Sequence, residues 1–471
     1  MPVSRATAKR GARKKRSAKS ANRVRIGQTP QQSSKSFITA DVVAPHLSTA
    51  YPALPADTLP ISANVPSAIV SRGDAGDHPG VQRFLQSVLP DVSPLAFAAS
   101  LEEPLYEPSD RIVARLGTRV VGHALVSRRD AYVGDALVPV TRVSQITILP
   151  ELRGQGLGQK LLQAAEERIA ENPTPLAILA TPRHAFFEQH GWLPVARIRR
   201  TQLTSRNLVG ILEANAGALS GRWKVRPWRQ MEYGALEELY HATTRGVFAA
   251  YERTEAFWRW VVGSCNAARL LVAHDRSHSG ASELSGYVVL RGESIVEVAA
   301  RDNRPDVLHA LLHRACVEAI ERSLHRLEFE AAADHPAHRM LGCDPAVENG
   351  QHLSQTLLIK LFDHRGLLHS LAPTFDQRAK DAGVKRPFEL GIRLPGEAPT
   401  RLMFQPRSVK VANSGLGRSY LRCSPESFLR TVLGRPKQGE NMRFRASTER
   451  AKAIATDIFP KLPARYCGLE Y

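Results

Sequence analysis

The chain has 471 residues, with 64 Lys and Arg against 45 Asp and Glu, a net charge of +19. That length predicts about two to four domains, and the absence of any apolar run of about 18 residues argues against a membrane-spanning helix. Five dispersed cysteines without a Cys-x-x-Cys pair and sixteen histidines without ligand spacing exclude a zinc-type framework and read as the reduced thiols and surface imidazoles of a cytoplasmic protein with no metal.

The charge is uneven along the chain. Residues 1–40 hold eleven Lys and Arg and no acid, which leaves only +8 for everything after them. This segment, centred on Arg13-Lys-Lys-Arg16, has almost no aromatic residues and cannot build a core. No apolar segment follows it, so it does not read as a secretory signal. Residues 1–65 are expected to be a basic disordered tail and linker. Its charge suits weak contact with nucleic acid or another acidic partner through counterion release.

Arg111–Val126 alternates across a Gly-Thr turn and predicts a hairpin, and Ala136–Val143 leads into a further strand. The most informative stretch follows: Val143-Ser-Gln-Ile-Thr-Ile-Leu-Pro-Glu-Leu-Arg-Gly-Gln-Gly-Leu-Gly158, then Gln-Lys-Leu-Leu-Gln-Ala-Ala-Glu-Glu-Arg-Ile169. It predicts a strand, a glycine-rich turn and a helix whose apolar face is Leu157, Leu161, Ala165 and Ile169. Backbone N–H groups of such a turn converge with the helix N-terminus on one anion. No Lys-Ser or Lys-Thr follows the glycines, which excludes a Walker loop. Gln159 stands where a dinucleotide fingerprint needs its third glycine. What remains is Arg-x-x-Gly-x-Gly at Arg153–Gly158. It resembles the acetyl-CoA motif of the GNAT N-acetyltransferases, as does Ala185-Phe-Phe-Glu-Gln-His-Gly-Trp192 downstream.

From Gly221 the order of elements repeats. Helices are predicted at Met231–Tyr240 and Thr254–Val262, and strands at Ala268–His274, Leu284–Arg291 and Ser294–Ala300. A helix over Asp306–Ser323 and a strand over Leu327–Ala332 follow. The turn equivalent to the glycine loop is Arg301-Asp-Asn-Arg-Pro-Asp306. It lacks glycine, and Pro305 lacks an N–H, so this copy reads as degenerate. After Leu361 come a helical opening at Asp363–Pro373 and strands near Phe388–Leu394, Thr400–Phe404, Ser408–Val411 and Arg418–Cys423. Helices at Ser424–Gly434 and Thr448–Phe459 complete a pattern that resembles a sterol carrier protein-like α/β domain. Two GNAT-like domains followed by such a module resemble the Eis-like acetyltransferases. The expected fold class is α/β (α+β): tandem GNAT folds with mixed sheets flanked by helices. The expected boundaries are 66–205 for an active GNAT domain, 221–360 for a degenerate one and 361–471 for the last module.

The resemblance implies acetyl-CoA as co-substrate, held by Ile146, Thr147, Ile148, Arg153, Gly154, Gln155, Gly156, Leu157, Gly158 and Gln159. It implies a primary amine as acceptor, on a small molecule or a lysine, and assembly as a homo-oligomer, a hexamer in that family. It also implies that the Tyr471 carboxylate is the general base. Glu102, Glu103 and Glu107 are alternatives from the residues themselves. The family's tyrosine acid aligns with Phe187, which has no proton to give. That departure keeps two further readings open: an acyl-CoA-binding pseudoenzyme or scaffold, and lipid carriage by the last module.

Overall fold

The computed structural model describes residues 68–89, 92–214, 222–244, 246–263, 268–276, 283–341, 355–413, 415–434, 444–459 and 465–466. The basic segment 1–65 and Cys467–Tyr471 lie outside the described residues.

The first half runs β1 (Ile69–Arg72), α1 (His78–Val88), α2 (Pro94–Leu101), β2 (Arg111–Leu116), β3 (Arg119–Val133), β4 (Ala136–Ile148), α3 (Leu157–Glu171), β5 (Leu176–Thr181), α4 (His184–Glu188) and β6 (Leu193–Thr204). Gly117 and Gly134 adopt positive φ, 58° and 64°, at the two hairpin turns that join β2 to β3 and β3 to β4. Helix α5 (Ser205–Ala214) leads to β7 (Trp223–Pro227), α6 (Tyr233–Thr244), β8 (Val247–Phe248), α7 (Glu255–Gly263), β9 (Ala268–Asp275), β10 (Gly286–Arg291), β11 (Ser294–Ala300), α8 (Pro305–Glu321), β12 (Arg326–Ala332) and α9 (Pro336–Met340). The remainder is β13 (Gln355–Leu361), α10 (His364–Asp381), β14 (Phe388–Arg393), β15 (Thr400–Phe404), β16 (Val409–Ala412), β17 (Tyr420–Arg422), α11 (Pro425–Val432), β18 (Arg445–Ala446), α12 (Glu449–Ile458) and β19 (Arg465–Tyr466).

Among the described residues the two halves share a twelve-stranded mixed sheet, ordered β1-β2-β3-β4-β5-β13-β6-β12-β11-β10-β9-β7. A boundary at residue 360 would give all of β13 but Leu361 to the second half. Its hydrogen bonds go instead to the first half, antiparallel to β5 and to β6. On its other side β6 pairs with β12 over seven residues, which joins the two halves edge to edge. No local pattern encodes the place of β13; its pairs with β6 join residues about 160 positions apart. Leu357, Leu358 and Ile359 of β13 are buried to 2%, 0% and 0% exposure.

The apolar interior lies on both faces of the sheet. On one face of the first half α3 packs through Leu157, Leu161 and Ala165, in a cluster to which α1 and α2 add Val81, Leu85 and Phe97. On the other, Val138, Val140, Leu176 and Ile178 meet α10 through Leu367, Leu371 and Phe375. The helical opening read at Asp363–Pro373 continues through Pro373 to Asp381 as α10. The proline removes one backbone bond; burial of Leu371, Phe375 and Ala379 on either side offsets that loss. In the last unit a five-stranded sheet, β16-β15-β14-β17-β18, carries α11 and α12. Ser424 caps α11 by accepting from the Ser427 N–H at 3.1 Å, and Thr448 caps α12 by accepting from Ala451 at 3.0 Å. Phe404, Phe428 and Phe459 fill the interior beneath them.

The shared strand gives a test. Leu358→Ala should lower the free energy of unfolding by about 2–5 kcal/mol in denaturant titration, with signals from both halves lost together. Loss from one half alone would contradict a continuous sheet.

Candidate active site

Strands β4 and β5 are parallel neighbours for only three residues, Val140–Arg142 against Leu176–Ile178. Beyond that point β5 keeps only β13, which flanks its other edge along its whole length, and β4 keeps only β3. The two strands therefore diverge, and the last third of β4 has one free side. The Leu149 N–H donates to the Val121 carbonyl at 2.9 Å, toward β3. Alternation along the strand then turns the Ile146 and Ile148 N–H groups the other way, into the gap. A bulge lies just upstream: His123 pairs Thr147 while Leu125 pairs Ser144, and the extra residue, Gln145, has φ 53°.

At the mouth of the gap, Pro150–Leu152 form one 3-10 turn and Arg153, Gly154, Gln155 and Gly156 are exposed. Gly154 and Gly156 both sit at φ 78°, and a Cβ on either would meet open space, so conformation rather than crowding selects glycine here. Gly156 is the N-cap of α3 and offers no side-chain cap, and the first turn of the helix holds no acid. Its N–H groups thus point out uncompensated, with Arg153 and Lys160 beside them and in no ion pair among the described residues. Leu157 is buried as the first anchor of the helix. A Cβ on Gly158 would sit 3.3 Å from Ile148 and 3.7 Å from Phe186, so this glycine brings the helix against the motif strand. Ile146, Thr147, Ile148 and Gln159 lie on the same rim, the first three half-buried and Gln159 exposed.

The second half repeats the splay but fills the turn. Strands β11 and β12 pair in parallel only at Ser294–Ile295 against Glu328–Phe329. At the start of α8 the Asp306 carboxylate accepts from Trp223 Nε1 at 3.1 Å and from Arg304 at 2.6 Å. Burial alone would raise its pKa, but these two donors outweigh burial and hold it below the ordinary value. A carboxylate of the chain itself occupies the position at which an anion would meet the helix.

Other expected residues are placed less simply. Phe187 is 3% exposed and packs edge-to-face on Phe186 and Trp192, with ring centroids 5.0 Å and 6.2 Å away. It is part of the core under α3. Glu103 is consumed in a buried pair with Arg129, Glu107 accepts from Ser109 at 3.3 Å, and Glu102 is exposed. Tyr471 lies outside the described residues.

The residue reading missed a polar network behind the bulge. Arg111, fully buried, donates from Nε to the Tyr106 hydroxyl at 2.8 Å, from Nη1 to His123 Nε2 at 3.2 Å and from Nη2 to the Ser100 hydroxyl at 2.9 Å. Tyr106 in turn lies 2.8 Å from His78 Nε2. Because Arg111 only donates, His123 Nε2 must accept, and its Nδ1–H faces the Gln145 carbonyl at 3.4 Å. Burial first, and the Arg111 charge second, push the His123 pKa down to about 3. A neutral imidazole whose lone pair is engaged cannot take a proton from an amine. The signal was present: His123, Ser127 and Arg129 interrupt an apolar strand at even spacing, which puts them on one face.

A model of the acetyltransferase (GNAT) domain family matches residues 70–195. The N-acetyltransferase Eis of Mycobacterium bovis is 26% identical over 222 residues, 47% of this chain and 54% of the relative. That of Mycobacterium tuberculosis is 25% identical over the same share. The chain thus spans about half the length of these relatives. In fold, a GCN5-related N-acetyltransferase from Kribbella flavida superposes with a TM-score of 0.56 at 15% identity, over 86% of this chain and all of its own. Eis1 from Mycobacterium abscessus gives 0.51 at 13%, again over 86% of this chain and all of its own.

The buried histidines predict an acid response. His123 is held neutral to about 3, and burial also lowers His335 and His338 to about 4. The unfolded chain, with histidines near 6.5, binds more protons between about pH 4 and 6.5. Stability should therefore be fully present above pH 6.5 and fall as pH drops through this window. Denaturation midpoints from pH 8 to 4 test it, and a flat profile would contradict the neutral assignment.

Proposed function

We propose, from the premise that residues 70–195 match the GNAT acetyltransferase domain, that the chain transfers an acetyl group from acetyl-CoA to a primary amine. The observation that carries the reading is the gap between β4 and β5, with two free N–H groups along one wall and an uncapped helix at its mouth. In this reading the glycine turn, the first N–H groups of α3 and Arg153 hold the pyrophosphate. The Ile146 and Ile148 N–H groups hold the pantetheine and the thioester oxygen. A donor aimed at a developing oxyanion contributes roughly 2.7–4 kcal/mol. The amine nitrogen bonds to the thioester carbon, the carbon–sulfur bond breaks, the amine proton passes to a base and the thiolate takes a proton on leaving.

For the base we propose the Tyr471 carboxylate. What supports it is direction. β19 runs parallel to β8, and the segment after β8 runs antiparallel along β3 from Tyr132 to Asp130. Strand β19, as far as Tyr466, therefore runs in the same sense as residues 249–252, which pass along β3 in the direction of His123. Phe187 supplies no proton, so protonation of the thiolate falls to water or to a hydroxyl; general acid help of this kind is worth roughly 10²–10⁴-fold. Residues 221–360 act as a degenerate partner domain in this reading, and the sterol carrier protein-like assignment of 361–471 rests on element order alone. The packed phenylalanines beneath α11 and α12 favour a structural role for that unit over lipid carriage.

Calorimetric titration with acetyl-CoA should give saturable binding to the full chain, lost in Gly156→Glu, where a charge and a strained φ enter together. Free-thiol release should then require an amine. Deleting Tyr471 should lower kcat at least tenfold with acetyl-CoA affinity retained; unchanged kcat would rule out its carboxylate.

A further inference from the structure

The sheet face opposite α3 carries a buried polar floor beside the motif strand. A Cβ on Gly122 would strike Leu161 of α3, so even-numbered residues of β3 face that helix and His123, Leu125 and Ser127 face away from it. Their cross-strand partners Thr147, Ser144 and Arg142 share that face, and Arg111 of β2 pairs with Leu125 in the same row. Ser127 is 3% and Ser144 9% exposed, yet neither hydroxyl has a hydrogen-bond partner, and the Gln145 Oε1 atom is also without one. Buried polar atoms in a folded protein are almost always satisfied, so a group of orphans in adjacent positions marks a place for a ligand.

The chemistry of the floor is cationic. None of Arg111's three bonds goes to a carboxylate, and its guanidinium lies 4.8 Å from the Phe97 ring and 5.2 Å from the Tyr106 ring. His123 stays neutral and adds no negative charge. The nearby Glu103 is spent on Arg129. Two hydroxyl donors in a positive field suit an anionic oxygen group. Gln145 Oε1 is an acceptor, and it precedes Ile146, whose N–H lines the acyl gap.

We propose that this floor is the acceptor subsite, and that the acceptor is an amino acid: an amine that carries its own carboxylate. The amine is received at Gln145, next to the thioester, and the carboxylate at Ser144 and Ser127 in the field of Arg111. The proposal rests on the acetyltransferase reading and narrows its acceptor. A polycationic amine is repelled by the same floor.

The test uses matched pairs: alanine and ethylamine, phenylalanine and phenethylamine, lysine and cadaverine, with spermidine as the polycation. Each is titrated calorimetrically into the full chain saturated with CoA, and each is assayed for free-thiol release with acetyl-CoA. At least one carboxylate-bearing member should bind and react at least tenfold better than its decarboxylated partner. Ser127→Ala combined with Ser144→Ala should erase that preference through KM while acetyl-CoA affinity persists. Equal behaviour within every pair, or preference for spermidine, overturns the acceptor class while leaving acetyl-CoA binding intact. Failure of acetyl-CoA itself to bind defeats the acetyltransferase reading instead. A chain ending at Tyr466 separates the sources of the carboxylate. If carboxylate preference arises only after that truncation, the floor serves the chain's own terminus and the proposal fails.

Discussion

Everything at the candidate site depends on how soon β4 leaves β5. Three paired residues set the strands parallel, and beyond them β5 keeps only β13, its partner on the opposite edge along its whole length. A longer pairing would spend the Ile146 and Ile148 N–H groups on the ladder. The early parting leaves them facing a gap, and the chain crosses the gap's mouth through a turn in which two glycines sit at φ 78°. Helix α3 then begins without a cap. Donors that a sheet and a helix would ordinarily consume are thus gathered around one elongated space, a shape that suits a thioester arm with an anionic end.

The inserted strand has a second consequence. Because β13 separates β5 from β6, and β6 continues into β12, the second half is an extension of the same sheet. It repeats the splay but answers it with its own Asp306, Trp223 and Arg304. One fold thus presents two equivalent helix ends, one open and one closed by an internal carboxylate. Helix α7 returns to the first half, where Trp260 Nε1 donates to the Ala99 carbonyl at 2.8 Å on α2. The closed copy therefore steadies the helix that covers the polar floor.

Much of this was legible in the residues, for local reasons. The glycine turn announces itself because positive φ favours a residue without a Cβ, and Ser424, Pro425 and Gly434 mark the ends of α11 because caps are local chemistry. The closing of the second turn could be read from Asp306 and Pro305. Two things could not. The place of Gln355–Leu361 depends on pairing with residues far away in sequence, and an apolar strand carries no address. The surroundings of Phe187 depend on packing, which buries its ring against Trp192. His123, Ser127 and Ser144 stand between: their alternation was visible in the sequence, but their want of partners is visible only in three dimensions.

The central claim is that one gap, and not its repeat, receives the cofactor. Amide hydrogen exchange with and without acetyl-CoA tests it most directly. The account predicts slowed exchange at Ile146, Ile148 and Gly154–Gln159, with residues 301–306 unchanged. Protection at 301–306, or none at 146–159, would contradict it.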